Sequence, residues 1–258
     1  MKRSSFAGLL YREYYIVRTD YIIGLITFLV SAILGILIML SFRFGNLGLL
    51  VGDLSGNSTG MINNENISRF IRETGIMFMK YFPVFMTYVI GLNSPNAASR
   101  DTLTSWNRFV HCMPVTPLRY AAVKTAATAI SMGITFLLAV SYLYLVQLAS
   151  GIMFSYTDLS AVIFLLTFVA VVSVLAQIFV TLFKNRDMGY LCTILLISVP
   201  GIIISLKNNA IEEVEENPSV SELLGKAQAA CPYALMIIAF SFAALFISMY
   251  LLYKRRER

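Results

Sequence analysis

Three long stretches with almost no charged residue constrain the fold of this chain more than any other feature. Residues 21–42 and 233–253 contain no charged side chain, and residues 153–183 contain only Asp158. A helix rises about 1.5 Å per residue, so crossing a bilayer core of about 30 Å takes roughly 20 apolar residues. Core helices of soluble proteins rarely need such stretches. The sequence therefore predicts an integral membrane protein.

The composition supports the membrane prediction, and the apolar segments along the chain give six helical spans. Of the 258 residues, 58% are hydrophobic and 13% are charged, whereas an average soluble domain has about 45–50% apolar and about 25% charged residues. We expect an all-α polytopic membrane protein with one transmembrane domain over residues 1–258 and spans at about 21–42, 76–92, 120–148, 159–183, 190–206 and 233–253. Because the fifth span contains Pro200 and Gly201, a broken or re-entrant helix is the alternative to a plain span there.

Residues 6–18 predict an amphipathic helix ahead of the first span. Leucine, tyrosine and valine side chains form one face, and Arg12, Glu13 and Arg18 lie on the other. Such a helix lies in the headgroup plane of a membrane and leads into the first span. A short, partly ordered cytosolic tail is the alternative.

The basic residues predict the orientation of the chain. With both termini in the cytosol, the inner segments hold 14 of the 20 Lys and Arg residues, and the outer segments hold nine of the 14 Asp and Glu residues. This distribution follows the positive-inside rule. The basic balance of the chain thus orients it in a membrane and gives no reason to expect a nucleic-acid partner. Lys124, about one turn inside the third span, is expected to extend its side chain to the inner surface.

Several kinds of chemistry are missing from the sequence. The three cysteines are predicted at different depths or sides of the membrane, and His111 is the only histidine, so neither a disulfide nor a metal site is expected. No G-x-x-x-x-G-K-[ST] motif for nucleotide hydrolysis occurs. We therefore predict no enzyme activity and no cofactor.

The predicted membrane interior contains no ionisable residue in the middle third of any span. Ion-coupled transporters bind their coupling ion at such residues, so a proton-coupled carrier is the least favoured hypothesis. A transporter of this kind must receive energy from elsewhere. The other interpretation is a scaffold that transports nothing.

A hairpin between the second and third spans is the most informative segment. Leu103, Trp106, Val110 and Met113 recur at spacings of three, four and three, which predicts an amphipathic cytosolic helix over about 99–113. Pro114 ends this helix.

A long helix follows the turn. Thr116 is placed to cap it, and Pro117 takes the first helical position, where proline is favoured. From residue 117 to 148 this helix measures about 48 Å, so its first turns project from the membrane. The two helices form a lever that transmits force into the third span. The alternative is an interfacial helix that anchors the loop, with Trp106 at headgroup depth.

The hairpin resembles the cytosolic loop of ABC-2-type exporter permeases. The pattern D-x4-W-x-R-x4-M-P-V-x4-Y-x3-K carries the resemblance, formed by Asp101, Trp106, Arg108, Met113, Pro114, Val115, Tyr120 and Lys124. It is most similar to the small permeases that include phenol-soluble-modulin exporters of Gram-positive bacteria. The single acidic residue and the longer first outer loop depart from that pattern.

The resemblance implies a function and partners. The loop would be a coupling helix that docks on a separate ATPase subunit, and two permease copies, identical or different, would form the pathway for an amphipathic or apolar cargo such as a membrane-active peptide. It implies a bacterial plasma membrane. The alternative is a non-transporting scaffold or peptide-resistance subunit. The implied ATPase contacts are Asp101, Thr102, Ser105, Trp106, Arg108, Phe109, Val110, Met113, Pro114, Arg12 and Glu13.

Overall fold

A computed structural model describes residues 6–43, 64–104, 106, 115–151, 156–209 and 220–256. Within these ranges the chain forms α-helices and no β-strand, which confirms the all-α prediction. The helices are α1 (Phe6–Arg43), α2 (Asn64–Gly91), α3 (Asn93–Leu103), α4 (Pro117–Ser150), α5 (Tyr156–Phe183), α6 (Arg186–Asn209) and α7 (Val220–Arg256).

Four of these helices are long and apolar enough to cross a membrane. The qualifying segments, found among the described residues, are Phe6–Ser41, Pro117–Ala149, Asp158–Phe183 and Pro232–Arg255. They identify the chain as a membrane protein. The other two predicted spans, 76–92 and 190–206, fall almost entirely on α2 and α6, which are helical but do not meet this standard in their described parts. Six spans and the cytosolic termini stay predictions.

Helix α1 differs from its prediction. Residues 6–18 and 21–42 belong to one helix of 38 residues, about 57 Å long at 1.5 Å per residue. The predicted interfacial helix and the predicted first span are therefore parts of one continuous helix, and the placement of residues 6–18 in the headgroup plane stays a prediction. No glycine or proline interrupts residues 18–21. Arg12 and Glu13 contact other helices, whereas Arg18 is exposed and lies over the ring of Tyr15 in the same helix. Part of the polar face of this segment thus makes contacts within the protein.

Helix α6 continues through Pro200 and Gly201, because its helical residues run from Arg186 to Asn209 without a gap. The broken helix left open as an alternative is not observed. Proline removes one backbone donor, and helices in membranes tolerate this loss.

A second proline shows how one helix compensates another. Pro83 lies inside α2 and cannot donate a hydrogen bond to the carbonyl of Met79, four residues earlier. The buried hydroxyl of Tyr142 on α4 donates to that carbonyl over 2.8 Å. This bond joins α2 to α4 within a core that also includes Phe28 and Met39 of α1.

Charged side chains pair at both ends of the helix bundle. Lys80 of α2 and Asp158 of α5, both predicted outside, lie 2.6 Å apart, and the Tyr81 hydroxyl also donates to Asp158 over 2.6 Å. Residues predicted inside, including Arg12 and Lys124, meet at the other end. The helices thus sort the two predicted groups of charges to opposite ends, consistent with alternating helix directions.

Candidate functional site

Three helices bring charged side chains together where α3 ends. Helix α1 supplies Arg12 and Glu13 from its second turn, and α3 supplies Asp101 from its last turn. Helix α4 supplies Lys124, about 10 Å along the helix from Pro117. These four residues form what we call the charge network.

Each carboxylate of the charge network contacts both cations. The Nζ atom of Lys124 lies 2.7 Å from Oε2 of Glu13 and 2.5 Å from Oδ2 of Asp101. The Arg12 guanidinium lies 3.0 Å from Oε1 of Glu13 and 2.5 Å from Oδ1 of Asp101. Two positive and two negative groups leave the network with no net charge. Asp101 cannot move away without breaking bonds to both α1 and α4.

The charge network is buried. Lys124 is 2% exposed, Asp101 1% and Glu13 5%. The expected extension of Lys124 to the membrane surface is therefore wrong. Burying a charge is costly unless it is paired and hydrogen-bonded, and two carboxylates here satisfy the ammonium inside the protein. Breaking one partner of such a buried group costs about 3–5 kcal/mol.

Trp106 connects the hairpin to the charge network. The Arg12 guanidinium carbon lies 3.6 Å from the centre of the Trp106 ring, a distance typical of a cation–π interaction. The partly buried Trp106 also packs against a cluster formed by Val115, Tyr120 and Tyr253. Trp106 thus contacts α1 through Arg12, and it contacts the start of α4 and the end of α7 through this cluster.

The C-terminal end of α7 contacts the hairpin at Val115, just before α4 begins. The hydroxyl of Tyr253 donates to the carbonyl of Val115 over 3.2 Å, and the rings of Tyr253 and Tyr120 lie 4.9 Å apart. Next to Val115, the Thr116 side chain accepts a hydrogen bond from the Arg119 amide over 3.4 Å. Pro117 occupies the first turn of α4. The predicted cap of the long helix is confirmed.

A further ion pair fastens α3 to α1. Arg100 donates to the backbone carbonyl of Ile16 and lies 2.7 Å from Asp20. Together with the charge network, this pair fixes the second half of α3 along two turns of α1. The hairpin is thus attached to α1, α4 and α7.

Apolar side chains flank the hairpin on its outer side. Leu103 is 79% exposed and Leu118 is 61% exposed, and the intervening Thr104 and Thr116 are exposed too. Neither leucine was a predicted contact residue, although Leu103 belonged to the predicted apolar stripe. These two leucines give the hairpin an exposed apolar surface.

The predicted contact residues fall into two groups. Arg12, Glu13, Asp101 and Trp106 come together in and beside the charge network, and the Thr102 hydroxyl donates to the Ser99 carbonyl over 2.6 Å. Six others lie outside the residues that the structure describes: Ser105, Arg108, Phe109, Val110, Met113 and Pro114. Of the predicted helix over 99–113, residues up to Leu103 are helical in α3, which begins earlier, at Asn93. Contact with a separate subunit stays a prediction for every one of these residues.

Lys124 is the residue whose role sequence reasoning missed. A lysine inside an apolar helix was assigned to the membrane surface, although two carboxylates, Glu13 and Asp101, were predicted on the same side of the membrane. That coincidence was the available signal, because an intramembrane ionisable residue is usually paired.

Comparisons with known proteins add no relative. No protein-family model, curated protein or solved structure matches this chain. The resemblance of its hairpin to ABC-2-type permeases therefore stays a prediction. The observed features that bear on function are four helical segments long and apolar enough to span a membrane, a buried charge network and an apolar hairpin surface.

Proposed function

We propose that this chain is the membrane subunit of an ATP-driven exporter whose ATPase is a separate polypeptide. The cargo would be amphipathic or apolar, such as a membrane-active peptide, and two copies of the subunit would form the pathway in a bacterial plasma membrane. The bonds of Asp101 to both α1 and α4 are the single observation that best supports this proposal. They join the hairpin helix mechanically to two candidate membrane spans.

The contacts of the charge network suit the transmission of force. A displacement of α3 acts on Arg12 and Lys124 through charge-assisted hydrogen bonds, which are roughly twice as strong as neutral ones. Helix α4, with 34 residues, carries the displacement over about 51 Å. Movement imposed at the hairpin would therefore shift α1 and α4 together.

The exposed leucines of the hairpin support a protein partner there. In this proposal Leu103 and Leu118 border the groove-binding segment, and the predicted residues from Ser105 to Pro114 enter the groove. Trp106 then acts as a link between the docked segment and Arg12. Tryptophan and arginine are among the residues that most often dominate the binding energy of an interface, and the docked segment of this proposal contains Trp106 and Arg108.

A reconstitution experiment tests the proposal. The chain is co-expressed with a candidate ATPase subunit, purified in nanodiscs, and assayed for ATP hydrolysis and for co-purification. We expect Leu103→Ser to reduce both, because it removes an exposed apolar contact without opening a core. Tyr156→Ser is the matched control, since Tyr156 is 57% exposed at the opposite end of the bundle.

The outcomes separate the proposal from its alternatives. Equal ATP hydrolysis with wild type, Leu103→Ser and Tyr156→Ser would remove the docking assignment. Stimulated hydrolysis without movement of a fluorescent amphipathic peptide across proteoliposomes would favour the non-transporting scaffold. Movement of the peptide driven by a pH gradient in the absence of ATP would favour an ion-coupled carrier.

A further inference from the structure

A cavity of about 70 Å³ lies between α1, α3, α4 and α5, next to the charge network. Its lining includes polar side chains from three of these helices, Glu13, Ser94 and Gln177, and aliphatic side chains of α4, Ile130 and Ile134. The proposed coupling of the hairpin to an ATPase does not use this cavity. Its lining is polar on one side and apolar on the other, which suits a ligand with one polar and one apolar part.

The polar part of the lining has hydrogen-bonding capacity left over. Gln177 is 1% exposed, and its side-chain oxygen accepts from Thr128 over 3.1 Å, whereas its amide nitrogen has no hydrogen-bond partner among the described residues. Ser94, 5% exposed, likewise has none for its hydroxyl there. Each oxygen of Glu13 accepts one hydrogen bond, and a carboxylate has about four lone-pair sites.

The apolar part of the lining leads to the outer surface of the bundle. Tyr14 is 54% exposed, Ile130 48% and Ile134 38%. Ile130 and Ile134 belong to a segment of α4 that is long and apolar enough to span a membrane, so in a membrane this side of the mouth would face lipid. A molecule that enters from the bilayer would place its polar end at Gln177 and its apolar part between α1 and α4.

Size and charge restrict the ligand. The cavity holds several water-sized groups, since one water needs at least about 10–15 Å³ of such volume. It accommodates a head group and a few carbons, with the rest of the chain in the mouth. Among the described residues of the lining, Glu13 is the one charged group, and Arg12 and Lys124 neutralise it. A charged head group would therefore lose its hydration without gaining a counter-charge.

We propose that this cavity binds the neutral hydroxyl or amide head of a single-chain amphipathic molecule from the lipid phase. The head exchanges hydrogen bonds with Gln177, Ser94 and the remaining lone pairs of Glu13. This site does not depend on the proposed ATPase, so binding and ATPase coupling are tested separately.

Photolabelling of the purified full-length chain tests the site. The chain is placed in phosphatidylcholine nanodiscs without any ATPase and irradiated with a diazirine derivative of dodecanol. We expect saturable labelling of peptides around residues 130 and 177. Unlabelled dodecanol and dodecanamide should compete, and dodecylammonium and dodecyl sulfate should not.

A pair of variants on α4 provides the matched control. Ala127 lines the cavity, whereas Ala129 is exposed on the same helix. Ala127→Phe fills the cavity and should abolish the saturable labelling, while Ala129→Phe should retain it. Gln177→Leu should weaken competition by dodecanol relative to dodecane. Labelling that does not saturate, that persists in Ala127→Phe, or that dodecylammonium displaces best would overturn the proposal.

Discussion

Replacement of Lys124 by methionine is the most informative perturbation of the charge network. Methionine keeps the length of the apolar stem and removes only the ammonium. The same ammonium contacts Glu13 and Asp101 at 2.7 and 2.5 Å, so the contacting carboxylate oxygens lie no more than about 5 Å apart. The two carboxylates repel each other by about 3 kcal/mol at about 5 Å with an effective dielectric constant of about 20, and in the variant only Arg12 of the charge network remains to offset this repulsion. Lys124→Met should lower the free energy of unfolding by about this amount.

Thermal melting of the detergent-purified protein measures the effect. A loss of about 3 kcal/mol corresponds to a fall in Tm on the order of 10 °C for a domain of this size. The double variant Lys124→Met with Asp101→Asn removes one charge of each sign and should recover more than half of the loss. Lys254→Met is the matched control, because Lys254 is exposed near the end of α7, and its Tm should equal that of the wild type.

Two results would refute this reasoning. If Lys124→Met has the same Tm as the wild type, the ammonium does not hold the two carboxylates together. If the double variant melts lower than Lys124→Met, the loss comes from packing rather than from unpaired charge.

Two further perturbations test other parts of the fold. Asp158→Asn removes the 2.6 Å ion pair with Lys80 and should lower Tm by several degrees in a melting experiment, and an unchanged Tm would show that this pair does not fasten α2 to α5. Gly189→Ala would place a Cβ atom 2.5 Å from a side-chain carbon of Val180 and 2.7 Å from its backbone nitrogen, so it should reduce the yield of folded monodisperse protein on size exclusion. Gly133→Ala has no heavy atom within 4 Å of its new Cβ and should leave the yield unchanged, and equal behaviour of the two variants would contradict the close α5–α6 approach.

Local sequence signals predicted the helical parts well. Apolar stretches with almost no charged residue located the segments that became α1, α5 and α7, and a threonine followed by a proline predicted the start of α4 at Pro117. These signals involve neighbouring residues and depend little on tertiary contacts. They were sufficient for the membrane class and the helical fold.

Contacts between distant residues were the part that the sequence did not reveal. An amphipathic pattern around Arg12 and Glu13 predicts a polar surface, and it does not show whether that surface faces headgroups or another helix. Lys124 contacts Glu13 and Asp101, which lie 111 and 23 positions earlier in the chain, and these contacts show that Glu13 faces other helices. Helical periodicity carries no information about such contacts. The same limit applies to the cavity beside Gln177, which four helices form together.

Site-specific cross-linking in cells tests the central claim that an ATPase acts on the chain through its hairpin. A photoreactive amino acid replaces Leu103 in one variant and Tyr156, at the opposite end of the bundle, in another. The account predicts a covalent adduct between the Leu103 variant and a cytosolic ATP-hydrolysing subunit, and no such adduct for the Tyr156 variant. An adduct at Tyr156, no ATPase adduct at Leu103, or labelling of Leu103 from outside the cell would contradict it.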